Sequence, residues 1–265
     1  MQEVKQREPS IVRRERQDKG RMRWTERDFA ALRWIGEQYA VRLDHLQRVL
    51  GRQAGEGTQE PGILGIETTR KLVQRWRGAG LVEHAVLERL QPGWVWLTRR
   101  GLEQLELEYQ GWEPRMQGLR HLYALNHARL WVETHQAGAI WRGERQLRHE
   151  GGYVRRTSKA EHRPDAEVEI GAQRVAIEVE LSDKVPARLA AILYELARSY
   201  AGIWYFCSPK TQALMQRAIA ELNPPAIRQK FSVVPLRLEG QRVRRSTVST
   251  TPPPPERPDE AGREG

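Results

Sequence analysis

The sequence predicts an α/β protein of the α+β kind, in which a helical unit closed by a β-hairpin precedes a unit built on a mixed sheet. Three observations predict it. Over residues 24–107 apolar side chains recur mostly at helical spacing, then give way to two short strand signals around Gln91-Pro92-Gly93. From Asp165 to Leu181 apolar and acidic residues alternate with period two on either side of Gly171-Ala172-Gln173, the pattern of a hairpin. Beyond it come a helical stretch, an apolar strand, a second helical stretch and a last strand.

At 265 residues the chain exceeds the usual single-domain size. Residues 1–23 are charged, include Arg13-Arg14-Glu15-Arg16 and lack apolar periodicity, so they read as a disordered basic arm. Residues 24–110 form the first unit, 111–138 a connecting helix and 139–240 the second unit. The remainder, 241–265, contains Pro252-Pro253-Pro254-Pro255 and reads as a disordered proline-rich tail. The sole cysteine, Cys207, excludes an internal disulfide and is expected as a buried thiol. No stretch approaches the roughly 20 apolar residues of a membrane span, and the charged start is unlike a signal peptide, so a cytoplasmic protein without membrane contact is expected. A formal charge of +10 suggests a polyanionic partner.

In the first unit Thr25 is positioned to cap a helix carrying Glu26 and Asp28 in its first turn and Phe29, Leu32, Ile35 and Gly36 at helical spacing. Leu43, Leu46, Val49 and Leu50 make the apolar face of a second helix, and a glycine-rich loop spans 51–65. A third helix over 66–77 turns Thr69, Leu72, Val73 and Trp76 inward and ends at Gly78-Ala79-Gly80. Strands over 81–87 and 94–97 follow, and Thr98 is positioned to cap a fourth helix reaching Leu107. Three helices and a hairpin in this order make a winged helix-turn-helix, which places the third helix in the major groove. Arg70, Lys71 and Gln74 are then the candidates for base or phosphate contact, with Arg75 and Arg77 at the flank and Arg89 on the wing. The same residues also suit a merely solvated helix face, or a module that binds protein. The tryptophans, among them Trp24, Trp34, Trp76, Trp94 and Trp96, read as structural.

A long helix over 116–138 carries His121, His127 and His135, no two of them at i, i+4, so they are expected as packing or surface residues. A short helix over 141–148 contains Glu144. In the hairpin that follows, Val175, Ile177, Val179 and Leu181 point one way and Ala176, Glu178 and Glu180 the other. A loop of two residues sets Asp165 opposite Glu178, and a loop of three sets Ala166 there. Cross-strand side chains lie roughly 5 Å apart, so two carboxylates so placed repel unless one is protonated or a cation lies between them. Mg²⁺ or Mn²⁺ is the cation expected, because hard divalent ions take one or two carboxylates plus water and phosphate oxygens. The competing reading makes the acidic residues, Glu167 and Glu169 included, the solvated side of an ordinary hairpin.

Helices over 186–200 and 210–222 and strands over 203–207 and 231–236 complete the order of a restriction-endonuclease-like core. Pro164-Asp165, Glu178-Val179-Glu180 and the upstream Glu144 resemble the PD-(D/E)XK nuclease superfamily. With the winged helix and the helix carrying Asn126-His127, residues 24–236 resemble the replication-relaxation proteins of bacterial plasmids and mobile elements. The resemblance implies metal coordination by Asp165 and Glu178, with the Val179 carbonyl as a further ligand, and a supporting role for Glu144. It departs at Glu180, which stands where a lysine is expected, and Lys184 could supply the displaced ammonium. Two functions stay open: a DNA endonuclease or nickase in plasmid replication, relaxation or mobilisation, and a non-catalytic DNA-binding accessory with a degenerate nuclease fold. Double-stranded DNA is the expected partner, with other replication, mobilisation or transposition proteins and a second copy of the chain open alongside it.

Overall fold

The computed structural model describes residues 24–52, 62–151, 162–182 and 186–238. The basic arm, most of the glycine-rich loop, Lys184 and the proline-rich tail lie outside the described residues.

The first unit is α1 (Glu26–Glu37), β1 (Ala40–Arg42), α2 (Leu43–Gly51), α3 (Ile66–Gly78), β2 (Val82–Ala85), β3 (Trp94–Leu97) and α4 (Arg99–Gln104). Thr25 caps α1 as expected: its hydroxyl accepts from the Asp28 amide, and the Asp28 carboxylate accepts from the Thr25 amide. Gly80, with φ of +73°, lets the Leu81 amide turn back to the Trp76 carbonyl and end α3, a conformation glycine reaches without steric cost. Thr69, Leu72, Val73 and Trp76 are buried, as the helical spacing predicts.

This unit departs from expectation at several points, with β2 confined to Val82–Ala85 rather than 81–87. Strand β1 was not foreseen; it pairs antiparallel with β3, giving the order β1-β3-β2. Three residues between two helices are too few for a period to be read. Helix α4 stops at Gln104 rather than Leu107, because Glu106 takes a φ of +54° that no helix continues through.

The second unit begins after α5 (Met116–His135) and runs β4 (Ile140–Gly143), α6 (Glu144–Glu150), β5 (Ala166–Ile170), β6 (Gln173–Glu180), α7 (Pro186–Ser199), β7 (Gly202–Cys207), α8 (Pro209–Ala220), α9 (Pro225–Arg228) and β8 (Phe231–Pro235). The stretch expected as one helix over 141–148 is instead a strand followed by a helix. The apolar Ile140 and Trp141 pair with Glu169 and Val168 of β5, and that pairing overrides local propensity. Strands β4, β5 and β6 are antiparallel neighbours, and β6, β7 and β8 are parallel, so the sheet is mixed with order β4-β5-β6-β7-β8.

Both faces of this sheet are covered. Val175, Ile177 and Val179 of β6 join Trp204, Phe206 and Val234 against Ala124, Leu125, Ala128 and Val132 of α5. Ala176, Ile203, Tyr205 and Cys207 pack on the other face against Leu189, Leu193 and Leu196 of α7 and Met215 of α8. Cys207 is buried there, as expected.

Helix α5 serves both units. Leu119, Leu122 and Tyr123 pack with Ala40 and Trp94 of the first sheet, while Ala124, Leu125 and Ala128 pack on the second. Polar contacts fix its seat: the Asn126 amide donates to the Ala40 carbonyl at 2.8 Å, and the Tyr123 hydroxyl donates to Asp44 at 2.8 Å. The buried Arg129 guanidinium donates to Glu37 at 2.8 Å and Glu133 at 2.7 Å while stacked over Trp34. Replacing Arg129 by alanine takes the cation from the partly buried Glu37, leaves Glu133 to Arg52 and Trp34, and should cost about 3 kcal/mol, measured as a lowered urea midpoint. An unchanged midpoint would mean that α5 is held by its apolar contacts alone.

A candidate acidic cleft

The turn joining β5 to β6 holds only Gly171 and Ala172, since Ile170 pairs with Gln173, and Gly171 takes a φ of +58°. Ala166 pairs with Ile177, so the next residues outward, Asp165 and Glu178, face each other across the strands. Asp165 is held firmly: its carbonyl accepts from the Glu144 amide at 2.9 Å and its Oδ2 from the Val179 amide at 2.8 Å. Glu178 and Glu180 are each only 3% exposed, which removes the reading of this hairpin side as solvated. Alternation along β6 puts them on the α7 and α8 face with Ala176, where β7 lies alongside and pairs Tyr205 with Glu178 and Cys207 with Glu180.

Each cross-strand carboxylate has a histidine. His121 Nε2 of α5 lies 3.1 Å from Asp165 Oδ1, and His162 Nε2 lies 2.7 Å from Glu178 Oε1. Burial alone would push the His121 pKa down, but the hydrogen bond to Asp165 and the charges of Asp165, Glu144 and Glu178 outweigh it, so the net direction is up. Glu180 Oε1 accepts from the Ser182 amide at 3.2 Å, and its carbonyl accepts from the Ser208 amide and the Thr211 hydroxyl at the start of α8. The Tyr205 phenol, wholly buried, is pushed far up by desolvation and by the neighbouring Glu178 and Glu180 charges.

Asp165, Glu178, Glu180, His121 and His162 line an open cleft of about 490 Å³ whose opposite wall is the N-terminal turn of α5, with Gln117, Gly118 and the exposed Arg120. Asp165, Glu178 and Glu180 therefore converge. Glu144 does not line the cleft; its carboxylate pairs with Arg148 at 2.5 Å on α6 and reaches the site only through its charge on His121. Among the described residues no three His, Cys, Asp or Glu side chains are disposed as a metal-ligating group.

Sequence reasoning missed His121, His162 and Arg120. His121 was sought against other histidines on its own helix, whereas its partner lies 44 residues away in sequence. His162 stands three residues before Asp165 in one extended segment, a spacing that could have drawn notice.

On the first unit, Arg70, Lys71, Gln74 and Arg77 are exposed along α3, with Arg70 paired to Glu67 at 2.6 Å and Arg77 within 3.8 Å of Glu83 on β2. Arg89 is exposed in the segment 86–93 between β2 and β3. Arg75 is turned elsewhere: its guanidinium pairs with the buried Asp28 of α1, which also accepts from Trp76 Nε1 at 2.9 Å. Burial would raise the Asp28 pKa, but the hydrogen bonds from Thr25 and Trp76 and the Arg75 charge hold it below the usual carboxylate value.

Compared with protein-family models, with curated proteins and with solved structures, the chain has no match. No helix among the described residues is long and apolar enough to cross a membrane.

The His121 pairing has a pH signature. A histidine whose folded pKa is raised stabilises the fold fully below its ordinary value of 6.5, and that contribution is lost as pH rises through the folded pKa. Asp165→Asn should lower the His121 pKa in an imidazole NMR titration, and the difference in melting temperature from wild type should shrink between pH 6 and pH 8. An unmoved His121 pKa would dissociate the two groups.

Proposed function

We propose that the protein is a duplex-DNA-binding protein of winged-helix plus nuclease-like type, whose mixed-sheet unit cleaves phosphodiesters with Mg²⁺ or Mn²⁺. One observation carries the reading: Asp165 and Glu178, from facing strands, meet in an open cleft that also has a cationic wall in Arg120 and His121. Like charges at cross-strand distance are relieved by a cation, and hard oxygen donors suit a divalent one. Asp165, Glu178 and the Val179 carbonyl are the donors that would hold it. Bound there, such an ion lowers the pKa of water and offsets charge building on the phosphate.

The chain's own groups divide the remaining work. Glu180 brings no positive charge to the position where the superfamily pattern expects lysine, so Arg120 and His121 are left to attract the DNA phosphate. Asp165 orients the His121 ring, whose raised pKa suits a proton carrier near neutrality. Exposed Arg70, Lys71, Gln74 and Arg77 make α3 the duplex-facing helix, with Arg89 beside it. The resemblance to replication-relaxation proteins sets this activity in plasmid or mobile-element maintenance.

A second reading has its own observation. His121 and His162 already pair with Asp165 and Glu178 within the chain, which suits a degenerate site in a non-catalytic DNA-binding accessory. Supercoiled plasmid incubated with Mg²⁺ or Mn²⁺ separates the two. Nicking or linearisation that Asp165→Ala and Glu180→Ala each abolish, with DNA affinity retained, is expected of the nuclease. Wild type inert toward supercoiled, linear and single-stranded DNA with both metals would leave the accessory.

The DNA-facing assignment is tested by salt. Replacing Arg70 and Lys71 together by alanine should weaken duplex binding and flatten the slope of log K against log salt by about 1.8, as two phosphate contacts are lost. Arg75→Ala should instead lower the melting temperature, since it strips the buried Asp28 of its cation. A wild-type slope in the double variant would move the DNA elsewhere on the surface.

A further inference from the structure

The tip between β2 and β3 is built at a cost that folding does not explain. The Gln91 amide donates to the Glu88 carbonyl at 3.2 Å, which makes Arg89 and Leu90 the central residues of a tight turn. Leu90 is 92% exposed, and its φ of +62° is one that glycine or asparagine adopts readily and leucine does not. Val86, in the same loop, is 65% exposed. Both ends of the turn are anchored: the Arg42 guanidinium donates to Gln91 Oε1 at 2.9 Å, and Trp94 Nε1 donates to Glu88 Oε2 at 3.3 Å. The tip is thus a turn anchored at both ends that holds a large apolar side chain out into water beside the exposed Arg89. Strain of this kind persists where the surroundings enforce it, and an observed outlier points toward function.

The strand that carries the tip lies beside the cationic helix. The Arg77–Glu83 pair joins α3 to β2, and the charges of Arg70 and Arg77 bear on His84 of β2. A duplex held on α3 would therefore meet the tip with its adjoining groove and backbone.

We propose that Leu90 is a wedge that enters between base pairs from the minor groove, with Arg89 on the flanking phosphates, so that the protein kinks the duplex it binds. The inference rests on the DNA-binding reading above. Apolar wedges unstack a step and bend the duplex toward the major groove, and the flexible pyrimidine–purine steps yield most easily. Specificity would then come partly from deformability at a step that no hydrogen bond reads.

The decisive variant is Leu90→Asn, because asparagine suits the left-handed turn and cannot act as an apolar wedge. Short duplexes carrying 2-aminopurine at tiled TA steps, with a fluorophore pair at their ends, would be titrated with full-length protein in EDTA to suppress cleavage. Wild type should raise 2-aminopurine emission at one step and shorten the end-to-end distance. Leu90→Asn should melt at an equal or higher temperature, bind up to roughly tenfold more weakly, and lose both signals. Wild-type bending in Leu90→Asn overturns the wedge, as does wild-type binding without bending or unstacking, and both leave DNA binding intact. A change in oligomeric state in Leu90→Asn with bending preserved would overturn it in favour of a contact between copies. No duplex binding by wild type would overturn the wedge and the DNA-binding reading together.

Discussion

Helix α5 is the element on which the two units depend. It is buried against the three-stranded sheet through Leu119, Leu122 and Tyr123 and against the five-stranded sheet through Ala124, Leu125, Ala128 and Val132. Dispersion and apolar burial alone would allow it to slide or rotate between two greasy surfaces. Directional polar contacts prevent this: Asn126 to the Ala40 carbonyl, Tyr123 to Asp44, and Arg129 to Glu37 and Glu133. Arg145 adds a tie from α6, donating to the carbonyls of Gly36 and Gln110 at 2.6 Å each. Directional contacts between buried polar groups specify one arrangement where apolar contacts would tolerate several.

The same helix completes the cleft. Its first turn supplies one wall, and His121, one turn further on, brings a proton-binding ring to Asp165. Any rotation of α5 on the sheet would separate that pair, so the seat of the helix and the chemistry of the cleft are one constraint. The carboxylates themselves are placed by the hairpin, whose two-residue turn decides the register by which Asp165 meets Glu178. A single residue more in that turn would put Ala166 opposite Glu178.

Charge in this protein divides between fold and surface in a way composition does not reveal. On α3, Arg70, Lys71 and Arg77 face water, yet Arg75, on the same helix, closes a buried network with Asp28, Thr25 and Trp76. A network of this kind serves as a fastener between α1 and α3, and its arginine is committed to the buried Asp28. Among the acidic residues the division runs the other way. Glu178 and Glu180 carry charge into the interior of the sheet, where only paired or hydrogen-bonded carboxylates persist.

Local pattern was enough to determine most elements: the capping box at Thr25, the inward face of α3, the turn at Gly171 and the alternation along β6 each depend on residues within a few positions of one another. What tertiary structure alone decided depends on partners far apart in sequence. Strand β1 exists because β3 is there to pair with it, and Ile140–Gly143 is a strand because β5 lies alongside. Alternation marked Glu178 and Glu180 as sharing a face, but whether that face met water or protein was settled by β7, α7 and α8, which arrive from later in the chain. His121 and Arg120 belong to the cleft only because α5 lies across the sheet. Period and capping are properties of a segment, whereas burial, pairing and the convergence of side chains are properties of the packed whole.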